Sequence, residues 1–352
     1  MHQFRALKYT TPLLLFLAAV VSFTQTGIFT FFPVLYAFVL IPLLELLLRP
    51  NASNLSEAEE ELARNDRLYD YILYLIVPLQ YLFLYVFLKS LQQPGLQTID
   101  IIGRISGMGM LCGVFGINVA HELGHRVKPN EQLMAKALLL TSLYTHFFIE
   151  HNKGHHKRVA TPEDPSSARF NESLYRFYPR SIFFSYLSAW EIAAADQNKR
   201  GLPALHWRNE MLQLQVLQLF FITALLFVFG WSTTVLFGIA ALIGILLLES
   251  VNYIEHYGLS RQRTASGHYE RALPQHSWNS NHVLGRLMLF ELSRHSDHHY
   301  LASRKYQVLR HHDTAPQMPT GYPGMMLLAH IPPLWFRIVN KQIESTQHER
   351  TY

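Results

Sequence analysis

The sequence is short of cysteine and of charge, and both shortages restrict what the protein can be. Cys112 is the only cysteine in 352 residues. A single thiol rules out an intrachain disulfide and any metal site that needs several thiolates, such as an iron–sulfur cluster. Charged residues make up only 16% of the chain, whereas apolar residues make up 49% and occur in blocks. This distribution is typical of a membrane protein.

Six apolar blocks are long enough, or nearly so, to cross a bilayer, which takes roughly 20 residues. They cover residues 11–24, 27–48, 69–90, 99–121, 211–229 and 232–254. The sequence therefore predicts an all-α membrane protein with about six transmembrane helices and a single integral-membrane domain over residues 1–352. The stretch 132–149 is interrupted by Lys136 and His146, so we expect it to dip into the bundle or lie against it.

The distribution of lysine and arginine orients these spans. The short turns at 24–27, 91–98 and 230–234 contain neither residue, and most of the basic residues lie on the other side of the spans. The positive-inside rule places that side in the cytoplasm. Segments 121–210 and 255–352 are then expected to form a cytoplasmic, histidine-rich catalytic cap. This topology also accounts for the net charge of +5, and no nucleic-acid-binding motif is present.

Nine of the 19 histidines fall into four tight groups within "HELGH", "HNKGHH", "NYIEHYGL" and "HSDHH". Spacings of three and four place paired imidazoles on one face of a helix. Three of the groups directly follow an apolar stretch, and ionisable groups at such depths are costly, so we expect one shared metal site. The predicted ligands are His121, His125, His151, His155, His156, His256, His295, His298 and His299. The remaining histidines, such as His146, lack this spacing and are expected on the surface or in packing.

Imidazole ligands suit zinc, copper, iron and nickel, and the lack of clustered cysteine removes the soft-ligand options. Nine imidazoles exceed what one ion can bind. Two ions could take four or five each and leave positions open for a small molecule such as dioxygen. Zinc has no redox chemistry, so a paired site of this kind favours iron, although composition alone leaves the choice open.

Two other interpretations account for part of the pattern. "HELGH" matches the zinc-protease motif, in which Glu122 would be the catalytic base, but seven further clustered histidines would then have no role. A metal transporter or sensor would use histidines as binding stations. In that case the sites are expected across the membrane midplane rather than at one mouth of the bundle.

Together the motifs resemble the integral-membrane alkane 1-monooxygenases, within the histidine-box group that includes membrane fatty-acid desaturases and xylene monooxygenases. The stretches that carry the resemblance are "NVAHELGHR" (118–126), "EHNKGHHKRVATPEDPSSAR" (150–169), "ESVNYIEHYGL" (249–259) and "WNSNHVLGRLMLFELSRHSDHHY" (278–300). The sequences of the motifs "NYIEHYGL" and "HSDHH" favour alkane hydroxylases. A desaturase or a xylene-type monooxygenase is the alternative.

The resemblance implies a non-haem centre of two iron ions held by the nine histidines, with no haem or flavin in this chain. It implies terminal hydroxylation of medium-chain n-alkanes with dioxygen, and electrons from rubredoxin, itself reduced by an NADH-dependent rubredoxin reductase. The expected location is the bacterial inner membrane, with the active site near the cytoplasmic face. Because paired CxxC motifs are absent, we expect rubredoxin to be a separate protein.

Metal-bound imidazoles usually donate their second N–H to a carboxylate or carbonyl, so polar residues beside the motifs are candidate supporting residues. These are Glu122, Glu150, Glu249, Glu255, Asn252, Asn281 and Asp297. Glu255 and Asp297 are alternatively direct ligands, although an all-histidine ligand set is expected.

Two further sets are predicted from position alone. A narrow apolar channel for the alkane is expected among the second, third and sixth spans, although ordinary packing or lipid contact explains any one of its residues equally well. Its candidates are Leu35, Phe38, Val39, Ile245 and Leu248.

A basic face is expected to dock the acidic rubredoxin, although binding of lipid phosphates would produce the same composition. Its candidates are Lys153, Lys157, Arg158, Arg294, Arg304, Lys305 and Arg310.

Overall fold

The computed structural model describes residues 5–344 and consists almost entirely of helices. Five helices within residues 5–344 are long and apolar enough to cross a membrane. They are Ala6–Thr24, Gly27–Leu47, Leu68–Ser90 and Thr98–Gly124, named spans 1 to 4 here, and Glu210–His256, named the long helix. Within the described residues, β structure is limited to two isolated bridges. The prediction of an all-α fold with membrane-length apolar helices is confirmed.

The long helix contains both of the last two predicted spans. A straight helix of its 47 residues would measure about 70 Å, more than twice the thickness of the hydrocarbon core. At Gly230 the backbone leaves the helical region, with φ 80° and ψ 170°. The rings of Phe221 and Phe237 then lie 6.3 Å apart, whereas a straight helix would separate them by about 24 Å. The chain therefore reverses at Gly230, and the two halves pack side by side.

A buried arginine ties together the helix ends on the side of this reversal. Arg104, in span 4, donates hydrogen bonds to the backbone oxygens of Ser90 (2.7 Å) and Gln25 (3.1 Å). The Gln92 side chain donates to the backbone oxygen of Phe229 (3.2 Å) on the same side. The ends of spans 1 and 3, the start of span 4 and the reversal of the long helix therefore meet on one side of the bundle, and the histidines lie on the other.

Span 4 is the central helix, and glycines allow the long helix to approach it closely. A Cβ atom added at Gly109 would lie 2.5 Å from the side chain of Ile243, and one at Gly113 would lie 3.1 Å from that of Leu247. A side chain at position 109 would force the neighbouring helix to move, and one at position 113 would be tightly packed against it. This contact brings the end of span 4, at His121, beside the end of the long helix.

Further helices on the histidine side complete the fold. They include Glu57–Asn65, Pro129–Leu140, Leu174–Asn198, Val283–Met288, His295–Tyr300 and Tyr322–Ala329. Ser56 and Glu59 form a reciprocal capping box at the first of them, in agreement with the sequence pattern. The stretch after Pro129 packs on span 4, where the Ser142 hydroxyl donates to the backbone oxygen of Cys112 at 3.0 Å.

Candidate metal centre

The nine clustered histidines converge from four chain segments into two neighbouring groups. The five-histidine group contains His121, His125, His151, His156 and His298. The four-histidine group contains His155, His256, His295 and His299. Within each group the ligand nitrogens all lie within 4.8 Å of one another. The structure thus brings together every histidine that the spacing predicted as a ligand.

Local helix geometry determines the direction in which these histidine side chains point. Span 4 passes through a π-helical turn at Cys112–Ile117 just before the segment that carries His121. A second π-helical turn, Glu150–His155, carries two of the histidines of "HNKGHH". Such turns are common at functional sites because one wider turn rotates the side chains that follow it. In "HNKGHH" the result is that His155 joins one group and its neighbour His156 joins the other.

The distances between neighbouring nitrogens match ligands around a single ion. In the five-histidine group, the Nε2 atoms of His121 and His298 are 3.0 Å apart, and those of His298 and His156 are also 3.0 Å apart. In the four-histidine group, the Nε2 atoms of His299 and His295 are 2.9 Å apart. Two ligands at right angles, each about 2.1 Å from a metal, are separated by about 3.0 Å. Each group therefore fits one ion.

Burial favours the neutral form of these imidazoles, which is the form that binds metal. Removal from water lowers the pKa of His125 to about 3, and it lowers the pKa of His151, His298 and His299 well below the ordinary value. Neighbouring imidazoles lower it further because two positive charges would repel. An uncharged ring leaves its Nε2 lone pair free to coordinate.

Asp164 supports the four-histidine group, although sequence reasoning did not select it. Its Oδ2 atom lies 2.9 Å from Nδ1 of His155 and accepts a hydrogen bond from the Ser167 hydroxyl at 2.6 Å. Burial alone would lower the pKa of His155, but the Asp164 carboxylate outweighs burial and raises it. The sequence feature that could have identified Asp164 is its place in the turn-rich stretch "TPEDPSS", which follows "HNKGHH".

Among the predicted supporting residues, Glu255 makes a direct contact with a clustered histidine. Its Oε2 atom lies 3.2 Å from Nε2 of His295, and Tyr322 donates to its other oxygen at 2.8 Å. Glu249 instead accepts from the Tyr144 hydroxyl at 3.0 Å and from Asn252 at 3.3 Å.

The other predicted supporting residues hold the surrounding loops in place. Glu122 accepts from Arg126 at 2.6 Å and from the backbone N–H of Tyr306 at 3.2 Å. A carboxylate engaged in this way is unsuited to be the base of a zinc protease. Asp297 pairs with Arg304 and His312. Glu150 pairs with Arg158. The Asn281 side chain pairs with His311 and Gln317.

An apolar cavity extends from both histidine groups into the membrane-spanning bundle. His121, His151 and His295 line it at one end, together with Asn118, Asn252 and Glu255. The rest of the lining is apolar and comes from spans 2 and 4, the long helix and the short helices above them.

The cavity includes two of the five predicted channel residues. Phe38 and Leu248 line it. Leu35 and Val39 are 38% and 47% exposed on the outer face of span 2. Ile245 is partly buried and packs against the core cluster instead of lining the cavity.

Comparisons with known proteins identify the family. A sequence model described as fatty acid desaturase matches residues 102–329. An alkane 1-monooxygenase of Acinetobacter baylyi is 39% identical over 305 residues, which is 87% of this chain and 74% of the relative. This chain belongs to the alkane 1-monooxygenases of the fatty acid desaturase family. Alkane 1-monooxygenase 2 of Pseudomonas aeruginosa is 46% identical over 69% of this chain, and the hydroxylase component of the xylene/toluene monooxygenase of Pseudomonas putida is 29% identical over 70% of it.

Membership of the alkane 1-monooxygenase family confirms the resemblance inferred from the histidine motifs. The match spans slightly less than two thirds of two relatives' own length, 65% and 64% for the two enzymes of Pseudomonas aeruginosa. The shared family model extends from span 4 to the end of Tyr322–Ala329, a region that contains all nine clustered histidines.

Most of the basic residues predicted for docking in this alkane 1-monooxygenase homologue are engaged within the chain itself. Five of them form ion pairs: Arg158 with Glu150, Arg304 with Asp297, Lys305 with Asp70, Arg310 with Glu60, and Lys153 with Asp196. Arg294 is 3% exposed and donates to the backbone oxygen of Leu309 at 2.7 Å. Lys157 is exposed and has no acidic partner within 4.0 Å among residues 5–344.

Proposed function

We propose that this protein hydroxylates the terminal carbon of medium-chain n-alkanes at two iron ions held by the nine histidines. The observation that carries the proposal is the division of the imidazoles into groups of five and four, each with the ligand spacing of one ion. The reaction consumes an alkane, one dioxygen, two electrons and two protons, and releases a 1-alkanol and water. The names of the curated relatives support this activity.

Bound iron would supply the dioxygen chemistry that an unactivated C–H bond requires, because side chains alone provide no such oxidant. The residues of this chain have three other tasks. The imidazoles hold the ions, Asp164 fixes the ring orientation of His155, and the buried apolar cavity excludes water from the reacting end of the alkane.

The alkane would enter from the bilayer, where it is already dissolved. Span 2 separates the cavity from the lipid, and only 22% of its apolar window is buried. Its inner face contributes Phe38 and Ile41 to the cavity, whereas its outer face exposes Leu35 and Val39. The distribution of basic residues supports a location in the inner membrane with the histidines at the cytoplasmic face.

Electrons would come from rubredoxin and enter through the five-histidine group. His125 and His156, both in this group, are partly exposed, whereas all four members of the other group are buried. Exposed Lys157 follows His156 directly, and its backbone oxygen accepts from Arg261 at 2.8 Å. Exposed Arg263 lies on the same loop as Arg261 and has no acidic partner among the described residues. We propose this loop and Lys157 as the docking face for an acidic donor.

The decisive experiment supplies the purified protein with iron, rubredoxin, its reductase, NADH and octane, and measures 1-octanol. His151→Ala and His298→Ala are expected to abolish the product. The matched control is His146→Ala, since His146 is also buried but packs between the rings of Tyr144 and Tyr186. Alcohol formation by both ligand variants would overturn the assigned centre.

Hydroxylation of aryl methyl groups is a second candidate, favoured by the relative that acts as the hydroxylase component of xylene/toluene monooxygenase. Parallel assays with octane, toluene and a fatty acyl substrate separate this activity and desaturation from alkane hydroxylation. Greater turnover of toluene than of octane would favour the second candidate.

A further inference from the structure

The helix Leu174–Asn198, named the crossing helix here, runs across both halves of the long helix near their ends. The Tyr178 hydroxyl lies 2.7 Å from the Ser250 hydroxyl in the second half. About two turns later, Tyr186 donates to the Gln215 side chain in the first half at 3.3 Å. Ser250 and Gln215 lie six and five residues inside the ends of the long helix, or about 9 and 8 Å along its axis. Amphipathic helices sink into a bilayer surface to a similar depth, roughly 5–10 Å.

The outward face of the crossing helix is apolar beside these two contacts. Phe183, Phe184 and Leu187 are 58%, 51% and 38% exposed. The buried face of the same helix instead carries small polar residues, among them Ser181 and Ser185. Exposure of apolar side chains to water is unfavourable, and contact with lipid acyl chains removes this cost. At the depth of the crossing helix, its outward face therefore suits the acyl chains of lipids on the histidine side of the bilayer.

A polar pocket opens directly beside this apolar face, because Phe184 and Leu187 also line the pocket. Its volume is about 320 Å³, which lies at the lower end of the range of ligand pockets in proteins. Charged side chains of both signs line it. They are Arg158, Arg169, Arg180, Glu163, Asp164 and Glu191.

Half of these charged side chains lack a partner of opposite charge. Three of the six form ion pairs: Arg158 with Glu150, Arg180 with Glu172, and Asp164 with His155. The other three, Arg169, Glu163 and Glu191, are exposed and have no ion-pair partner within 4.0 Å among residues 5–344. In addition, Nε of Arg158 is buried and has no hydrogen-bond partner in the described part of the chain. The pocket therefore offers donors to an anion and acceptors to a cation.

We propose that this pocket binds the headgroup of a phospholipid that carries a phosphate and a primary ammonium, as phosphatidylethanolamine does. Guanidinium groups such as that of Arg169 match the geometry of a phosphate. An ammonium group has three N–H donors for the carboxylates of Glu163 and Glu191. The acyl chains of the same lipid would lie against Phe183 and Phe184. A choline headgroup has no N–H donor, and a glycerol headgroup has no positive charge, so neither satisfies both halves of the pocket.

The test compares three lipids that have the same acyl chains and differ in the headgroup, which is ethanolamine, choline or glycerol. Each is added to the full-length protein in detergent. Native mass spectrometry counts the bound lipid, and the rise in unfolding temperature measures the stabilisation that each lipid produces. The ethanolamine lipid is expected to bind about fivefold more tightly than the choline lipid, the scale of one exposed ion pair.

Substitution of the arginine tests the phosphate half of the pocket. Arg169→Gln should weaken binding of all three lipids about fivefold, because each of them carries a phosphate. Arg67→Gln is the matched control. Arg67 is also exposed and has no ion-pair partner within 4.0 Å among the described residues, but it does not line the pocket. Lipid binding by this control should equal that of the unsubstituted protein.

Substitution of a glutamate tests the ammonium half of the pocket. Glu191→Gln should weaken binding of the ethanolamine lipid and strengthen binding of the anionic glycerol lipid, because a carboxylate attracts an ammonium and repels an anion. A substitution that merely disturbed the local structure would shift both lipids in the same direction, so opposite shifts support a direct contact.

Equal binding of the three lipids by the unsubstituted protein would overturn the proposal, and so would a lipid profile of Arg169→Gln that matches that of Arg67→Gln. The last arm of the test uses O-phosphoethanolamine, which has the same charged groups and no acyl chains. If it bound as tightly as the lipid, the pocket would serve a soluble ligand and the apolar face would have no part in it. None of these measurements requires turnover, so their outcome is independent of the proposed function.

Discussion

Nδ1 of His155, a member of the four-histidine group, lies 2.9 Å from Oδ2 of Asp164, and both side chains are buried. The carboxylate selects the tautomer of the ring, because a proton held on Nδ1 leaves the lone pair on Nε2. His155 Nε2 in turn lies 3.2 Å from Nε2 of His299. Asp164 thus positions a predicted ligand without belonging to either group.

Replacement of Asp164 by asparagine is expected to weaken metal binding about 10- to 100-fold, as is typical for partners of ligating histidines. Competition with a chelator for Fe(II) measures the loss, and metal content after gel filtration checks it. Glu163→Gln is the control, since Glu163 is exposed and adjacent in the chain. Equal iron affinity in the two variants would show that His155 does not need its carboxylate.

Docking of the electron donor is expected to depend on Lys157 and not on Arg304. Lys157→Gln should raise the KM for rubredoxin severalfold at low salt and flatten its dependence on ionic strength, because an exposed charge acts mainly on the encounter. Arg304 forms two hydrogen bonds with Asp297, of 2.7 and 2.9 Å, between the histidines of "HSDHH". Arg304→Gln should therefore reduce iron retention and leave that salt dependence intact. The reverse pattern would indicate that the donor docks at Arg304 and not at Lys157.

The reversal of the long helix is expected to require glycine at position 230. Gly230 has φ 80°, and a Cβ atom added there would meet no atom within 4 Å. Gly230→Ala should thus destabilise the protein through backbone strain alone, by about 1 kcal/mol or more.

Gly238 is the matched control for this prediction, since it lies in the same helix and a Cβ atom there also meets open space. Gly238→Ala should be neutral or should stabilise by up to about 1 kcal/mol, as usual in a helix interior. Thermal unfolding in detergent compares the two variants, and equal midpoints would contradict the strained turn.

Arg104 is expected to stabilise the side of the bundle opposite the histidines. It is 1% exposed and donates to two backbone carbonyls and to the Gln93 side chain at 3.0 Å. Arg104→Leu removes these three hydrogen bonds and leaves the backbone oxygen of buried Ser90 without its donor, which should cost about 2 kcal/mol. Arg49→Leu, at an exposed site, should stay within about 0.5 kcal/mol. Similar unfolding midpoints for both variants would show that the Arg104 contacts contribute little.

The parts of the fold that could be predicted depend on local pattern. Apolar runs define the spans because a bilayer imposes a minimum length, and the Ser56–Glu59 cap follows from a four-residue motif. The last two of the six predicted spans became the two halves of the long helix, because the residues on both sides of Gly230 are apolar and helical and the backbone leaves the helical region only at that glycine.

The sequence likewise predicted the parts of the candidate site that depend on local pattern. Spacings of three and four identified the histidines that converge. These spacings did not predict that His155 and His156, which are adjacent in the chain, join different groups. The docking prediction counted positive charge, but the structure pairs most of those cations with carboxylates, and some of these carboxylates are far away in the chain, as Asp70 is from Lys305.

The sequence by itself determined the helical architecture with membrane-length apolar spans, the clustered histidines and the family, because these depend on composition and on the period of a single helix. Only the tertiary structure decided how the nine imidazoles divide into groups of five and four, that Asp164 contacts His155, and which residues of spans 2 and 4 line the apolar cavity. Each of these depends on the rotation and depth of one helix relative to another, and packing between distant segments sets both.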